Sequence, residues 1–185
     1  MSIDVHYFKQ ETLYTCGAAA CRMYLSYYGI DKSESEIAYA LGITPEQGCR
    51  CYILRHYLAD IGLTVELKSG FSSPEEAIQT LKSVLMVKIP VIVEVNRDIY
   101  DNVTPRMKIK VKRESPAKGY SYHFVLVTGF TEGCIHFNDP HEAIGPNRLP
   151  VNQFTKALYD TSSRGCMLYA RKRSRSDDNL GDKQS

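Results

Sequence analysis

The chain has 185 residues, of which 43% are hydrophobic and 24% are charged. This length and composition are typical of one folded domain with a substantial core. The net charge is only +2, and the last fifteen residues alone hold five basic and three acidic side chains. Residues 1–170 are therefore close to neutral, unlike the strongly basic domains that bind nucleic acids, and we predict no nucleic-acid partner.

The sequence carries no sign of a membrane segment or a secretory signal. No apolar run approaches the roughly 20 residues that a membrane-spanning helix needs. The start, MSIDVHYFKQ, has no basic stretch followed by an apolar one. We expect no membrane span, and either a cytoplasmic location or export by a route that needs no signal peptide.

Six cysteines are present, and without a secretory signal they are expected to be reduced thiols. Cys49 and Cys51 flank one residue and His56 follows, which is not the ligand spacing of a zinc site. The sequence also lacks a Gly-rich or Walker loop for a phosphate group. Neither a metal nor a cofactor is predicted.

The first half of the chain is predicted to be mainly helical. A helix begins at Cys16 and ends before Gly29, with Ala19, Met23 and Tyr27 repeating at the spacing of one helix face. Ser33 and Glu36 form a capping-box pattern at the start of a second helix. The predicted helices after the first cover residues 33–41, 48–61 and 73–87, and a short strand is predicted at 63–67.

The second half is predicted to consist mainly of strands, at 91–95, 107–112, 122–130, 134–138 and 166–170, with a short helix at 151–158. Residues 98–119 are polar and contain two prolines, which favours an arm outside the core. Residues 171–185 are expected to form a disordered tail after one domain at 1–170. The predicted class is α+β, with N-terminal helices packed on a C-terminal antiparallel sheet.

One set of side chains has the residue types that catalysis by a thiol requires. Cys16 stands where a loop turns into a helix, and free backbone N–H groups there favour a thiolate. Gln10, six residues upstream, could donate its amide to an oxyanion. His123 opens the strongest predicted strand and could relay a proton. Asp139, sixteen residues later, could hold the imidazole, with Asn138 as the rival and His141 as a possible substrate-side group.

These residues together resemble a known family. The pattern Gln10-x₅-Cys16-Gly17-x-Ala19, the run from His123 to Phe130 and the pair Asp139-Pro140 are similar to the papain-like cysteine peptidases that process bacteriocins by cutting double-glycine leaders. The resemblance covers about residues 8–170. It implies a papain-like fold, with Gln10 in the oxyanion hole, Cys16 as nucleophile, His123 as base and acid, and Asp139 as its orienter.

The resemblance implies a stand-alone cysteine-dependent hydrolase of peptide or amide bonds that acts on a peptide or protein substrate through an acyl-thioenzyme. Thr15 departs from the family, whose members often carry Asp or Glu directly before the cysteine. The leader-peptide role is not carried over. A side-chain deamidase, a transamidase and a non-catalytic peptide-binding module remain alternatives.

Overall fold

A six-stranded antiparallel sheet forms the centre of the molecule in the computed structural model, which describes residues 1–103, 122–141 and 144–172. The strand order is β1-β6-β2-β3-β4-β5. The strands are β1 Leu63–Lys68, β2 Val91–Asn96, β3 Tyr122–Phe130, β4 Cys134–Asn138, β5 Pro146–Pro150 and β6 Cys166–Lys172. The strand predicted at 107–112 and residues 173–185 of the predicted tail lie outside the described residues.

Helices cover both faces of this sheet. On one face lie α1 Cys16–Tyr27, α2 Glu34–Ala40 and α3 Cys51–Asp60. On the other lie α4 Pro74–Met86, α5 Arg97–Val103 and α6 Val151–Tyr159. The predicted α+β class is confirmed, and the second helical layer adds to the one that the sequence predicted.

Burial on both faces explains the apolar runs of the central strands. In β3, Phe124 and Leu126 belong to the core under α1 to α3, whereas Val125 and Val127 belong to the core under α4 to α6. Successive side chains of a strand point to opposite faces. A strand with helices on both sides therefore has no polar face, which is why β3 lacks the alternation of a half-exposed strand.

Local sequence signals set several helix ends as predicted. The Ser33 side chain accepts a hydrogen bond from the Glu36 backbone, and the Glu36 carboxylate accepts one from the Ser33 backbone, which completes the capping box of α2. The Ser73 side chain caps α4 by accepting a hydrogen bond from the Glu76 backbone N–H, and Pro74 occupies the first position of the helix.

Two elements were not predicted. Residues 97–103 form α5, in which Tyr100 is fully buried, so the prediction of a polar arm was wrong for the start of the 98–119 segment. β5 is an edge strand that begins and ends with proline. Proline has no N–H to donate to a strand ladder but is tolerated at a sheet edge. Because prolines count against a strand in a sequence pattern, β5 was not predicted.

The expectation of six reduced cysteines was also wrong. Cys51 and Cys166 are paired as a disulfide across 115 residues of sequence. Cys51 begins α3 and Cys166 begins β6, and α3 packs on β6. This packing, which no local pattern encodes, brings the two residues together.

Candidate active site

The helix α1 presents Cys16 at its first position. Thr15 is the N-cap residue, and the first helical bond runs from the Ala19 N–H to the Thr15 carbonyl at 2.9 Å. The N–H groups of the first turn have no partner inside a helix and place partial positive charge at that end. The half-buried Cys16 thiol therefore lies where an anion is favoured.

The imidazole of His123 joins this thiol to a buried carboxylate. Its Nε2 lies 2.8 Å from Oδ1 of Asp139, and a further hydrogen bond links the ring to Cys16. Because Nε2 faces Asp139, the nitrogen left for the thiol is Nδ1. His123 lies near the start of β3, and Asp139 follows the end of β4, so the antiparallel pairing of these strands brings the two side chains together.

Asp139 has no exposed surface, and three donors satisfy its carboxylate. His123 Nε2 and the His141 backbone N–H, at 2.7 Å, share Oδ1. The hydroxyl of Tyr100 donates to Oδ2 at 2.7 Å. Burial by itself would raise the pKa of Asp139, but the charge of His123 and these hydrogen bonds lower it below its ordinary value.

The pKa values of Cys16 and His123 shift in opposite directions. Burial by itself would raise the pKa of Cys16, but the hydrogen bond and charge of His123 outweigh burial and lower it, with help from the Arg97 guanidinium. Burial would lower the pKa of His123, but Asp139 and Cys16 raise it to about 10. Both shifts favour a thiolate–imidazolium pair between these pKa values.

The other buried thiols lack such partners. Burial raises the pKa of Cys21, and burial together with the charge of Cys16 raises that of Cys49. A thiol without a nearby cation is inert in an apolar environment. Cys16 is thus the thiol whose surroundings lower its pKa and favour the thiolate form.

The loop before α1 places Gln10 next to the Asp139 turn. The Gln10 backbone N–H donates to the Pro140 carbonyl at 2.8 Å. Its side-chain Nε2 donates to the Thr12 carbonyl at 2.5 Å, and its Oε1 is buried with no partner among the described residues. An amide nitrogen has two N–H groups, so the bond to Thr12 uses only one of the two on Nε2.

A small cavity of about 30 Å³ opens beside Cys16. Its walls come from the entering loop, the segment before α3, the start of α5 and the start of β3: Leu13, Tyr14, Gly48, Cys49, Arg50, Arg97, Tyr122 and Phe124. Cys49 packs against Gly17, where an added Cβ would lie 2.5 Å from the Cβ of Cys49. Gly17 is therefore required by the packing of Cys49.

Asn138, the rival to Asp139 as the residue that holds the imidazole, faces a different cavity. Asn138 and His136 line a larger cavity of about 660 Å³ between the N-terminal segment and strands β4 and β5, which none of Cys16, His123 and Asp139 lines. His141 contributes its backbone N–H to Asp139. The structure thus brings Cys16, His123 and Asp139 together, and Asn138 away from them.

Two residues at the site were missed by the sequence reasoning. Tyr100 fell within the predicted arm, although an aromatic residue after Ile99 in a polar segment was a signal of burial. Glu34 is also buried, and its carboxylate accepts a hydrogen bond from the Glu11 backbone at 2.8 Å, which holds the loop before Cys16.

The comparisons with known proteins agree with this geometry. The model of a family described as Peptidase_C39 like matches residues 2–167. The chain belongs to this family. It is accordingly a cysteine peptidase, and the resemblance seen in the sequence is confirmed. No curated protein matches the chain.

Solved structures of C39 peptidases share the fold. A double-glycine motif protease from an AMS/PCAT transporter, solved with its leader peptide, is 19% identical with a TM-score of 0.63, and the match covers 92% of this chain and 94% of that one. The peptidase domain of Streptococcus ComA is 16% identical with a TM-score of 0.65, covering 91% and 100%. A Bacillus anthracis protein described as a C39-like peptidase is 16% identical with a TM-score of 0.68, covering 94% and 98%.

The described ranges contain neither a metal-binding cluster nor a membrane-spanning helix. Within residues 1–103, 122–141 and 144–172, no group of three or more His, Cys, Asp or Glu side chains is arranged to hold a metal ion. Over the same ranges, no helix has the length and apolar character needed to cross a bilayer.

We predict that Cys16 reacts with iodoacetamide at pH 6 much faster than Cys21, Cys49 or Cys134, because its pKa is lowered by His123 while burial raises those of Cys21 and Cys49. Alkylation of each cysteine would be followed by peptide mass spectrometry over time. His123→Ala serves as the control and should remove the advantage of Cys16. Equal rates for the four thiols would contradict the prediction.

Proposed function

We propose that this C39-family peptidase cleaves a peptide or amide bond with Cys16 as nucleophile, His123 as general acid and base, Asp139 as the residue that orients His123, and Gln10 as an oxyanion donor. The observation that carries the proposal is the continuous hydrogen-bonded series from Cys16 through His123 to the fully buried Asp139. A catalytically silent binding module would have no need of a buried charge pair, whose desolvation is costly.

The reaction would proceed in two stages. The Cys16 thiolate attacks the carbonyl carbon, and the oxyanion that forms receives hydrogen bonds from the Gln10 amide and the N–H groups at the start of α1. The His123 imidazolium gives its proton to the departing amine, which leaves a thioester on Cys16. Neutral His123 then takes a proton from water, which attacks the thioester and releases a carboxylic acid and the thiolate.

The substrate we propose is a peptide or protein segment with small side chains at the bond that is cut. The cavity beside the thiol, about 30 Å³, leaves little room for a large side chain. A structural neighbour described as a double-glycine motif protease was solved with a leader peptide, which supports a peptide substrate here. The same acyl-thioenzyme would also permit deamidation or transamidation of a protein side chain.

The deciding experiment compares wild-type protein with Cys16→Ala on a library of peptides and folded proteins, read by mass spectrometry. The library includes peptides with paired glycines and matched peptides in which a larger residue replaces each glycine. Cut chains that appear only with wild-type protein, and mainly from the small-residue peptides, support the proposal. Amide-to-acid mass changes on intact chains would instead identify a deamidase, and identical products from both proteins would refute a thiol mechanism.

Asp139→Ala should lower turnover by at least ~10²-fold, since losing the orienting acid of a triad costs up to ~10⁴. Asp139 contributes, together with Cys16, to raising the pKa of His123 to about 10, so removal of Asp139 lowers that pKa. The imidazolium then loses its proton at lower pH, and the alkaline limb of the pH profile of turnover moves to lower pH. Asn138→Ala is the matched control, because that side chain lines a different cavity, and it should keep both rate and limb close to wild type. A larger loss of turnover in Asn138→Ala than in Asp139→Ala would mean that Asn138, and not Asp139, orients His123.

Gln10→Ala should lower kcat by roughly 10²–10³-fold, the range for loss of one oxyanion-hole donor. The backbone bond from Gln10 to Pro140 does not depend on the side chain, so the loop should remain in place. Circular dichroism should therefore be unchanged, and Gln47→Ala, in an exposed turn, provides a control at a second glutamine. Turnover of Gln10→Ala within a few-fold of wild type would remove Gln10 from the oxyanion hole.

A further inference from the structure

Tyr100 is a fully buried tyrosine whose hydroxyl lies at the site. It belongs to α5, and its hydroxyl donates to Oδ2 of Asp139 at 2.7 Å. Its ring lies 5.9 Å from the His123 ring and 5.8 Å from the Phe137 ring, measured between centroids. The side chain thus contacts both Asp139 and His123.

The hydrogen bonds divide unequally between the two oxygens of Asp139. Oδ1 accepts from His123 Nε2 and from the His141 backbone, while Oδ2 accepts from Tyr100. The terminal torsion of an aspartate is broad, so donors on one oxygen alone leave the carboxylate plane poorly fixed. A donor on the second oxygen defines that plane, and with it the direction of the bond from Oδ1 to His123.

We propose that Tyr100 is a positioning residue that fixes the Asp139 carboxylate, and through it the orientation and protonation of the His123 imidazole. The proposal rests on the proposed roles of His123 and Asp139 in catalysis. Packing alone does not account for a tyrosine here, because phenylalanine would fill the same space without a buried hydroxyl that requires a partner.

The position of α5 supports this role. Arg97 and Tyr100 are three residues apart on this helix and therefore lie on neighbouring parts of its surface. The charge of Arg97 helps to lower the pKa of Cys16, and Tyr100 bonds to Asp139. One short helix thus reaches both ends of the proposed series of catalytic groups.

The experiment compares Tyr100→Phe with Tyr24→Phe as a matched control. Tyr24 is equally buried, and its hydroxyl donates to the Ala170 carbonyl at 2.7 Å in the core under α1 to α3. Both variants lose one buried hydroxyl and keep the aromatic ring. A general effect on stability should therefore appear in both proteins, whereas an effect on the site should appear only in Tyr100→Phe.

The first readout needs no substrate. The pKa of His123 is measured by NMR titration of protein with ¹⁵N-labelled histidine, and His123 is assigned by comparison with His123→Gln. The charged and titratable groups that act on this ring are Cys16 from α1, Asp139 after β4 and, through Cys16, Arg97 from α5. With Asp139 free to rotate, the pKa of His123 should fall by about one unit or more, the scale of one hydrogen bond to a charged group. In Tyr24→Phe it should stay at the wild-type value.

The second readout is turnover of any substrate found for the wild-type protein. In Tyr100→Phe, kcat should fall about 10-fold to 100-fold, the range seen when a hydrogen-bond partner of a metal ligand is removed, while KM stays nearly constant. An unchanged or raised His123 pKa in Tyr100→Phe would overturn the positioning role, whatever the turnover. A lowered pKa in a protein without any hydrolytic activity would retain the positioning role and reject the proposed function instead.

Discussion

A carboxylate with no exposed surface must find hydrogen-bond donors within the protein, and this requirement at Asp139 organises the site. The donors come from three parts of the chain: the start of β3, the helix α5 and the turn after β4. The same turn accepts the Gln10 backbone N–H through Pro140. The satisfaction of one buried charge thus connects the sheet, a helix of one face and the loop that leads to the nucleophile.

The electrostatics of the site follow from the same arrangement. Burial by itself raises the pKa of a thiol, as it does for Cys21 in the core under α1 to α3. Cys16 differs because the His123 imidazole is within hydrogen-bond reach, and Asp139 and Cys16 together raise the pKa of that imidazole. The lowered pKa of Cys16 therefore depends in part on Asp139, which acts through His123.

The sequence predicted those features whose signals are local or arise from a specific motif. The capping box at Ser33, the strands β3 and β4 and the helix that begins at Cys16 all have patterns within a few residues. The pairing of Cys51 with Cys166 depends on how distant elements pack, and no short pattern encodes it. The spacing of His123 and Asp139 was informative because one hairpin brings them close: Asn138, the neighbour of Asp139, pairs with Leu126, three residues after His123.

The groups that would perform the chemistry and the walls that would select a substrate come from different parts of the fold. His123 is held by β3, which has helices on both sides, and Asp139 follows β4, whose Ile135 and Phe137 belong to the core under α4 to α6, where packing restricts movement. The cavity beside Cys16 is instead lined largely by the entering loop and the segment from Gly48 to Arg50. Gly17 joins the two parts, since Cys49 rests directly on it and any side chain there would displace that wall. A family that kept the hairpin and varied the loop segments could therefore change its substrate while retaining its acid–base chemistry.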